Sequence, residues 1–136
     1  MEIRVTFPGG TRVDAEYKGF EIRTDQPRRH GGEDSAPAPF DYFLASLATC
    51  AGLYVSRFLE SRKLAADGLS LMLTTAKDPQ RKRLSEIVVT VNLPESFPKK
   101  YSAAIVRAVD QCTVKRVILD PPAFRTVVRI GSTVAA

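Results

Sequence analysis

Apolar and polar residues alternate from Ile3 to Phe7, and the alternation ends at Pro8-Gly9-Gly10, which predicts a short strand closed by a turn. Arg12 to Tyr17 and Phe20 to Thr24 repeat the pattern on either side of Lys18-Gly19, so two further strands joined by a tight turn are expected. The chain therefore opens as a small antiparallel sheet. Between Asp25 and Pro39 the composition turns to Pro, Gly, Ser and charged residues, the signature of a long surface loop. Loops of that length inside a compact domain often border a functional site.

The period then changes. Phe40, Phe43, Leu44, Leu47, Tyr54 and Phe58 recur at spacings of three, four and seven, predicting a helix over 40–63. Pro39 suits its first turn, and Asp41 suits the positive end of its dipole. Small residues at Ala45, Ser46, Ala48, Ala51 and Gly52 predict burial on more than one side. Leu69 to Ala76 and Glu86 to Leu93 have β character and flank a polar stretch over 77–83, giving a second hairpin. Tyr101, Ile105, Ala108, Val109 and Cys112 follow helical spacing, so a second helix is expected over 99–111. Val114 to Leu119 continues as a short helical turn before Asp120-Pro121-Pro122 stops it, and Phe124 to Ile130 predicts a last strand. The order is βββ-α-ββ-α-β. It defines an α+β fold in one domain, 1–136, with antiparallel sheets around a long central helix.

An apolar share of 44% and a charged share of 26% fit one soluble domain. A chain of this size buries a modest core alone, and a partner subunit would add to it. The N-terminus lacks the basic and apolar segments of a secretory signal, and no uninterrupted apolar run approaches the roughly 20 residues of a membrane span. The expectation is a cytoplasmic protein without a membrane partner. The net charge of +5 raises nucleic-acid binding as a possibility. The basic residues are scattered as Arg28-Arg29, Arg81-Lys82-Arg83, Lys99-Lys100 and Lys115-Arg116, without aromatic interleaving, and read as solvated faces.

Chemistry rests on two cysteines. They are too few for the disulfide framework of a small secreted scaffold, and with the single His30 they do not supply four zinc ligands. His30, in a polar loop, is not assigned as a base, and no cofactor is implied. Cys50 falls within the long helix near the face of Phe43, Leu47 and Tyr54. A free cysteine there is ordinarily a small buried hydrophobe; reactivity requires a cation or hydrogen-bond donor beside the sulfur. Cys112 falls at the expected C-terminus of the second helix, where the dipole opposes a thiolate while Lys115 or Arg116 would favour it. If both helices lie on one side of the sheets the sulfurs can meet. One can then attack a peroxide, and the other can condense with the sulfenic acid so formed.

The run Pro39-x-Asp41-x-x-Leu44-x-Ser46-Leu47-x-x-Cys50, together with Ala108-x-Asp110-x-Cys112-x-Val114, resembles the two cysteine motifs of the OsmC/Ohr family. The resemblance extends over nearly the whole chain. It implies an intertwined homodimer with the long helices buried centrally and active sites at the subunit interface. It also implies reduction of organic hydroperoxides, with Cys50 as peroxidatic thiol, Cys112 as resolving thiol and a dithiol or redoxin as reductant. The family's activating arginine matches Arg12, after Gly9-Gly10. Where the hydroperoxide-reducing branch places a glutamate this chain has Phe40, and Asp41 matches the acidic position of another branch. That departure puts efficient peroxide turnover in question.

The leading expectation is a thiol-dependent peroxidase acting in stress defence, with Phe40, Phe43, Tyr54 and Phe124 lining a pocket for an apolar substrate. The alternative is a protein of the same fold that binds a small apolar ligand, or serves as a stress-associated accessory, without peroxide turnover. A hot-dog thioesterase fits less well, because the chain has a second substantial helix and no obvious hydrolytic dyad. Nucleic-acid binding ranks last.

Overall fold

In a computed structural model of the chain, the structure describes residues 1–131 and, for the backbone, 133–135. Three antiparallel strands, β1 (Arg4–Gly9), β2 (Arg12–Tyr17) and β3 (Phe20–Ile22), form the opening sheet in sequential order. Helix α1 spans Pro39–Arg62, and β4 (Ser70–Lys77) and β5 (Leu84–Asn92) make the second hairpin. Two helices follow, α2 (Ser102–Asp110) and α3 (Thr113–Leu119), and then a hairpin of β6 (Val128–Ile130) and β7 (Thr133–Ala135). The expected α+β order holds, with two corrections. The segment after Gln111 is a separate helix, and the strand expected over 124–130 is confined to Val128–Ile130, with β7 pairing back onto it.

Register explains which strand residues face inward. Leu71 pairs with Val91 and Leu73 with Val89, and directly paired residues lie on the same face. That face turns toward α1. The core joins Val55 and Leu59 of α1 to Ile105 of α2 and to Phe97, with Leu71 and Val91 packed against them. Helix α1 buries a stripe of Leu47, Ala51, Val55 and Leu59, each four residues after the last and so one above another. Burial on more than one side, expected from its small residues, is not found among the described residues. Ala45 and Leu53 are exposed. The helix is long and apolar enough to cross a membrane by length and composition, although no uninterrupted apolar run suggests it. Its stripe instead packs on the chain's own core.

The opening sheet stands apart, with no substantial packing of helices or other strands against it among the described residues. Its link to α1 is the loop over 23–38, organised by Asp25. That carboxylate, 1% exposed, accepts hydrogen bonds from Thr11 Oγ1, the Gln26, Glu33 and Ser35 amides, and Ser35 Oγ. Buried Asp14 does the same work nearby, accepting from Thr24 N and from Arg12.

Candidate thiol site

Cys50 lies beside the buried stripe of α1, partly covered, and Cys112 is 2% exposed. Cys112 does not end a helix, as the sequence pattern suggested. The chain breaks after α2, and Cys112 leaves helical geometry (φ −49, ψ 117) as the N-cap of α3. Its sulfur accepts from Lys115 N at 3.4 Å, the bond a capping side chain makes to the open amides of a first turn. Its thiol also lies 3.9 Å from the Leu47 carbonyl oxygen, which ties the break to α1.

The two thiols act on one another, and their surroundings push their acidities apart. Burial raises the Cys50 pKa and is the largest single influence. Hydrogen bonds from the Val114 amide, the Cys112 thiol and the Thr113 amide, with the positive charge of Arg116, together outweigh it and leave the thiol below its ordinary value. At Cys112 burial leads again, and donating its proton to Cys50 also holds that thiol above the ordinary value, against the amides of Lys115 and Val114. Cys50 is thus the more acidic of the two thiols, and Cys112 is the one held protonated. The arrangement suits nucleophilic attack by the first sulfur and delivery of a second sulfur to the product.

Other expected residues lie elsewhere. Asp41 caps α1: its carboxylate accepts from Ala38 N at 2.8 Å while its own amide donates to Ala38 O at 2.9 Å. Nine residues at about 100° each place it on the helix face opposite Cys50. Arg12 pairs with Asp14 at 3.3 Å and is not among the groups acting on Cys50 in its own chain. Lys115 is engaged with Asp110, so the cation beside Cys50 is Arg116. The pocket expected from four aromatics does not form: Phe40 and Phe43 stack at 5.3 Å, but Phe124 is 92% exposed. An apolar cavity of about 280 Å³ opens instead between α1, β5, α2 and α3, lined by Leu47, Val89, Val109 and Ile118, with Asp110 and Lys115 at its rim.

Several contributors escaped the sequence reading. The Thr113 and Val114 amides carry no side-chain signal, and they became visible only with the break at Cys112. Arg116 was noted, but for the wrong sulfur. Asp25 sits at the start of a polar loop where nothing in the pattern distinguishes it from its charged neighbours. Among the described residues, no group of three or more His, Cys, Asp and Glu is placed to hold a metal ion.

A fold of separate antiparallel sheets, one long helix and a cysteine pair across a helix break defines a class, and comparison with known proteins identifies it. The model of the OsmC-like protein family matches residues 32–127, and the chain belongs to that family. Solved structures agree on the fold. A candidate osmotic stress induced and detoxification response protein from Psychrobacter arcticus is 22% identical, with a TM-score of 0.71 over 84% of this chain and 85% of that one. An OsmC-like protein from Mycoplasma pneumoniae is 15% identical, with a TM-score of 0.70 over 88% and 87%. The organic hydroperoxide resistance protein OhrB of Bacillus subtilis is 17% identical, with a TM-score of 0.54 over 86% and 90%. No curated protein matches the chain.

Proposed function

We propose that this protein is a thiol-dependent peroxidase that reduces organic hydroperoxides. The observation that supports it is the cysteine pair itself: Cys50 is favoured as a thiolate by two amides and Arg116, and Cys112 donates to it. The Cys50 thiolate attacks the distal oxygen of the hydroperoxide, the O–O bond breaks, and the departing alkoxide takes a proton to leave as the alcohol. Cys50 is left as a sulfenic acid. The Cys112 sulfur then gives up its proton and attacks the Cys50 sulfur; hydroxide leaves with that proton as water, and a disulfide forms. An external dithiol or redoxin reduces the disulfide.

The working unit in this reading is a cytoplasmic homodimer. Val5 pairs with Ala15, Ala15 with Ile22, and Tyr17 with Phe20, so these residues share one face of the opening sheet. Val5 is 49% exposed and Phe20 70% exposed. An uncovered apolar sheet face of this kind marks an association surface. Arg12, on that sheet, then serves Cys50 of the partner copy, where a guanidinium would stabilise the thiolate and the departing alkoxide.

The second reading, apolar ligand binding without turnover, is favoured by Phe40 and by the placement of Asp41 as a helix cap. The two separate cleanly. Reduced protein mixed with a slight excess of cumene hydroperoxide should lose both thiols and about two hydrogens in mass, and Cys50→Ser should abolish the loss. Cys112→Ser should stop at the sulfenic acid. Thiols that survive at the rate of a free cysteine would refute the peroxidase and leave ligand binding.

A further inference from the structure

Tyr54 stands one turn beyond Cys50 on α1, and its hydroxyl lies 3.0 Å from Thr113 Oγ1. Thr113 is the first residue of α3, directly after the capping Cys112. Among the described residues this is the one hydrogen bond between side chains that joins α1 to α3. The tyrosine ring is steadied from the other side by Arg57, whose guanidinium carbon is 5.9 Å from the ring centroid. No residue of α3 is itself fully buried, so beside the buried Cys112 thiol against the Leu47 carbonyl oxygen this bond is a second tie between the first turn of α3 and α1.

We propose that Tyr54 and Thr113 are positioning residues. Their hydrogen bond holds the Cys112 turn against α1, so that the Cys112 thiol and the Thr113 and Val114 amides stay aimed at the Cys50 sulfur. The inference rests on reading Cys50 as the nucleophile and Cys112 as the resolving thiol. It adds a requirement that those cysteines alone do not impose. When Cys50 is a sulfenic acid, Cys112 must lose its proton and reach the Cys50 sulfur as water leaves. A turn free to swing outward slows that closure and also withdraws the donors that favour the Cys50 thiolate. The charged and titratable groups facing Cys50 are Arg116 and Cys112 of this segment, and both move with it.

The test uses reduced full-length protein and the variants Tyr54→Phe, Thr113→Val and Thr113→Ser, with melting curves as a control on stability. Alkylation of Cys50 by iodoacetamide, read by peptide mass, is followed across about pH 5 to 10. Disulfide closure driven by diamide is timed separately, since it needs no peroxide. Tyr54→Phe and Thr113→Val should each move the alkylation profile to higher pH and slow closure about three- to tenfold, the size of one modest hydrogen bond. Thr113→Ser, which keeps the hydroxyl, should match the parent. The double variant should be no slower than either single one. An unchanged profile and closure rate in Tyr54→Phe would overturn the inference, as would Thr113→Ser behaving like Thr113→Val. Thr113 is exposed, so its variants keep the fold and the comparison stands if Tyr54→Phe is unstable. If the shifts appear in a protein that reduces no hydroperoxide, the positioning role is supported and the peroxidase reading alone fails.

Discussion

Thr11 Oγ1, Ser35 Oγ and the amides of Gln26, Glu33 and Ser35 converge on the Asp25 carboxylate. Those donors, the Thr11 and Ser35 side chains first, hold its pKa far below the ordinary carboxylate range, against the opposing effect of burial. The sign of the consequence follows from linkage. A carboxylate whose folded pKa is depressed contributes stability that is complete above its unfolded value, about 3.9, and is lost as pH falls toward the folded one. The loop over 25–35 should therefore open on acidification below about pH 4, and Asp25→Asn should open it at neutral pH. Limited proteolysis across pH reads both. Gly32 belongs to the same device: a Cβ there would sit 1.8 Å from the Gln26 carbonyl oxygen. Gly32→Ala should cost about 2 kcal/mol or more in urea unfolding, because backbone rather than a flexible side chain must give way.

Helix α1 depends on its first turn. Ala38, at its N-cap, has no side-chain oxygen to offer the open amides, and Asp41 supplies the side-chain half of the cap from inside the helix. Asp41→Ala should lower stability by about 1 kcal/mol. It should leave the pH profile of Cys50 alkylation unchanged, since the carboxylate is two and a half turns away on the other face. A shifted profile would instead return Asp41 to the thiol site. The opposite end of the site is set by a helix that stops. Asp110 ends α2, and Cys112 caps α3, which starts at Thr113. A continuous helix would have pointed its C-terminal carbonyls toward that sulfur; the break points amides at Cys50 instead. The short, separate α3 is therefore an electrostatic component of the site.

For the molecule as a whole the unfinished surface is the opening sheet. Its apolar face has no cover among the described residues, whereas the hairpin β4–β5 has α1. Association should close it. Sedimentation velocity should give twice the 15.0 kDa of one chain. Phe20→Glu should weaken the association at least tenfold by placing a charge on the apolar face. If Arg12 serves the partner's Cys50, the same variant should also raise the pH at which Cys50 is alkylated. A monomer with an unshifted profile would remove Arg12 from the site.

The period of apolar residues located β1, β2, α1 and the β4–β5 hairpin, because each carries an apolar face, packed on the core in α1 and β4–β5 and left open on the opening sheet. The two cysteine motifs likewise carried the family and both sulfurs. The pattern was silent where the physics is not periodic. Leu47, Ala51, Val55 and Leu59 form the buried stripe of α1, yet two of the bulkiest residues in the helical pattern, Phe40 and Phe58, stand outside it. The helix is apolar on more sides than one chain can cover, so sequence alone could not choose the face. The break at Gln111-Cys112 has no proline or glycine to announce it, and helical spacing runs straight through. Which sulfur is acidic was decided only by three-dimensional placement: amides without side-chain identity, one arginine and a neighbouring thiol converge on Cys50 from a segment remote in the chain.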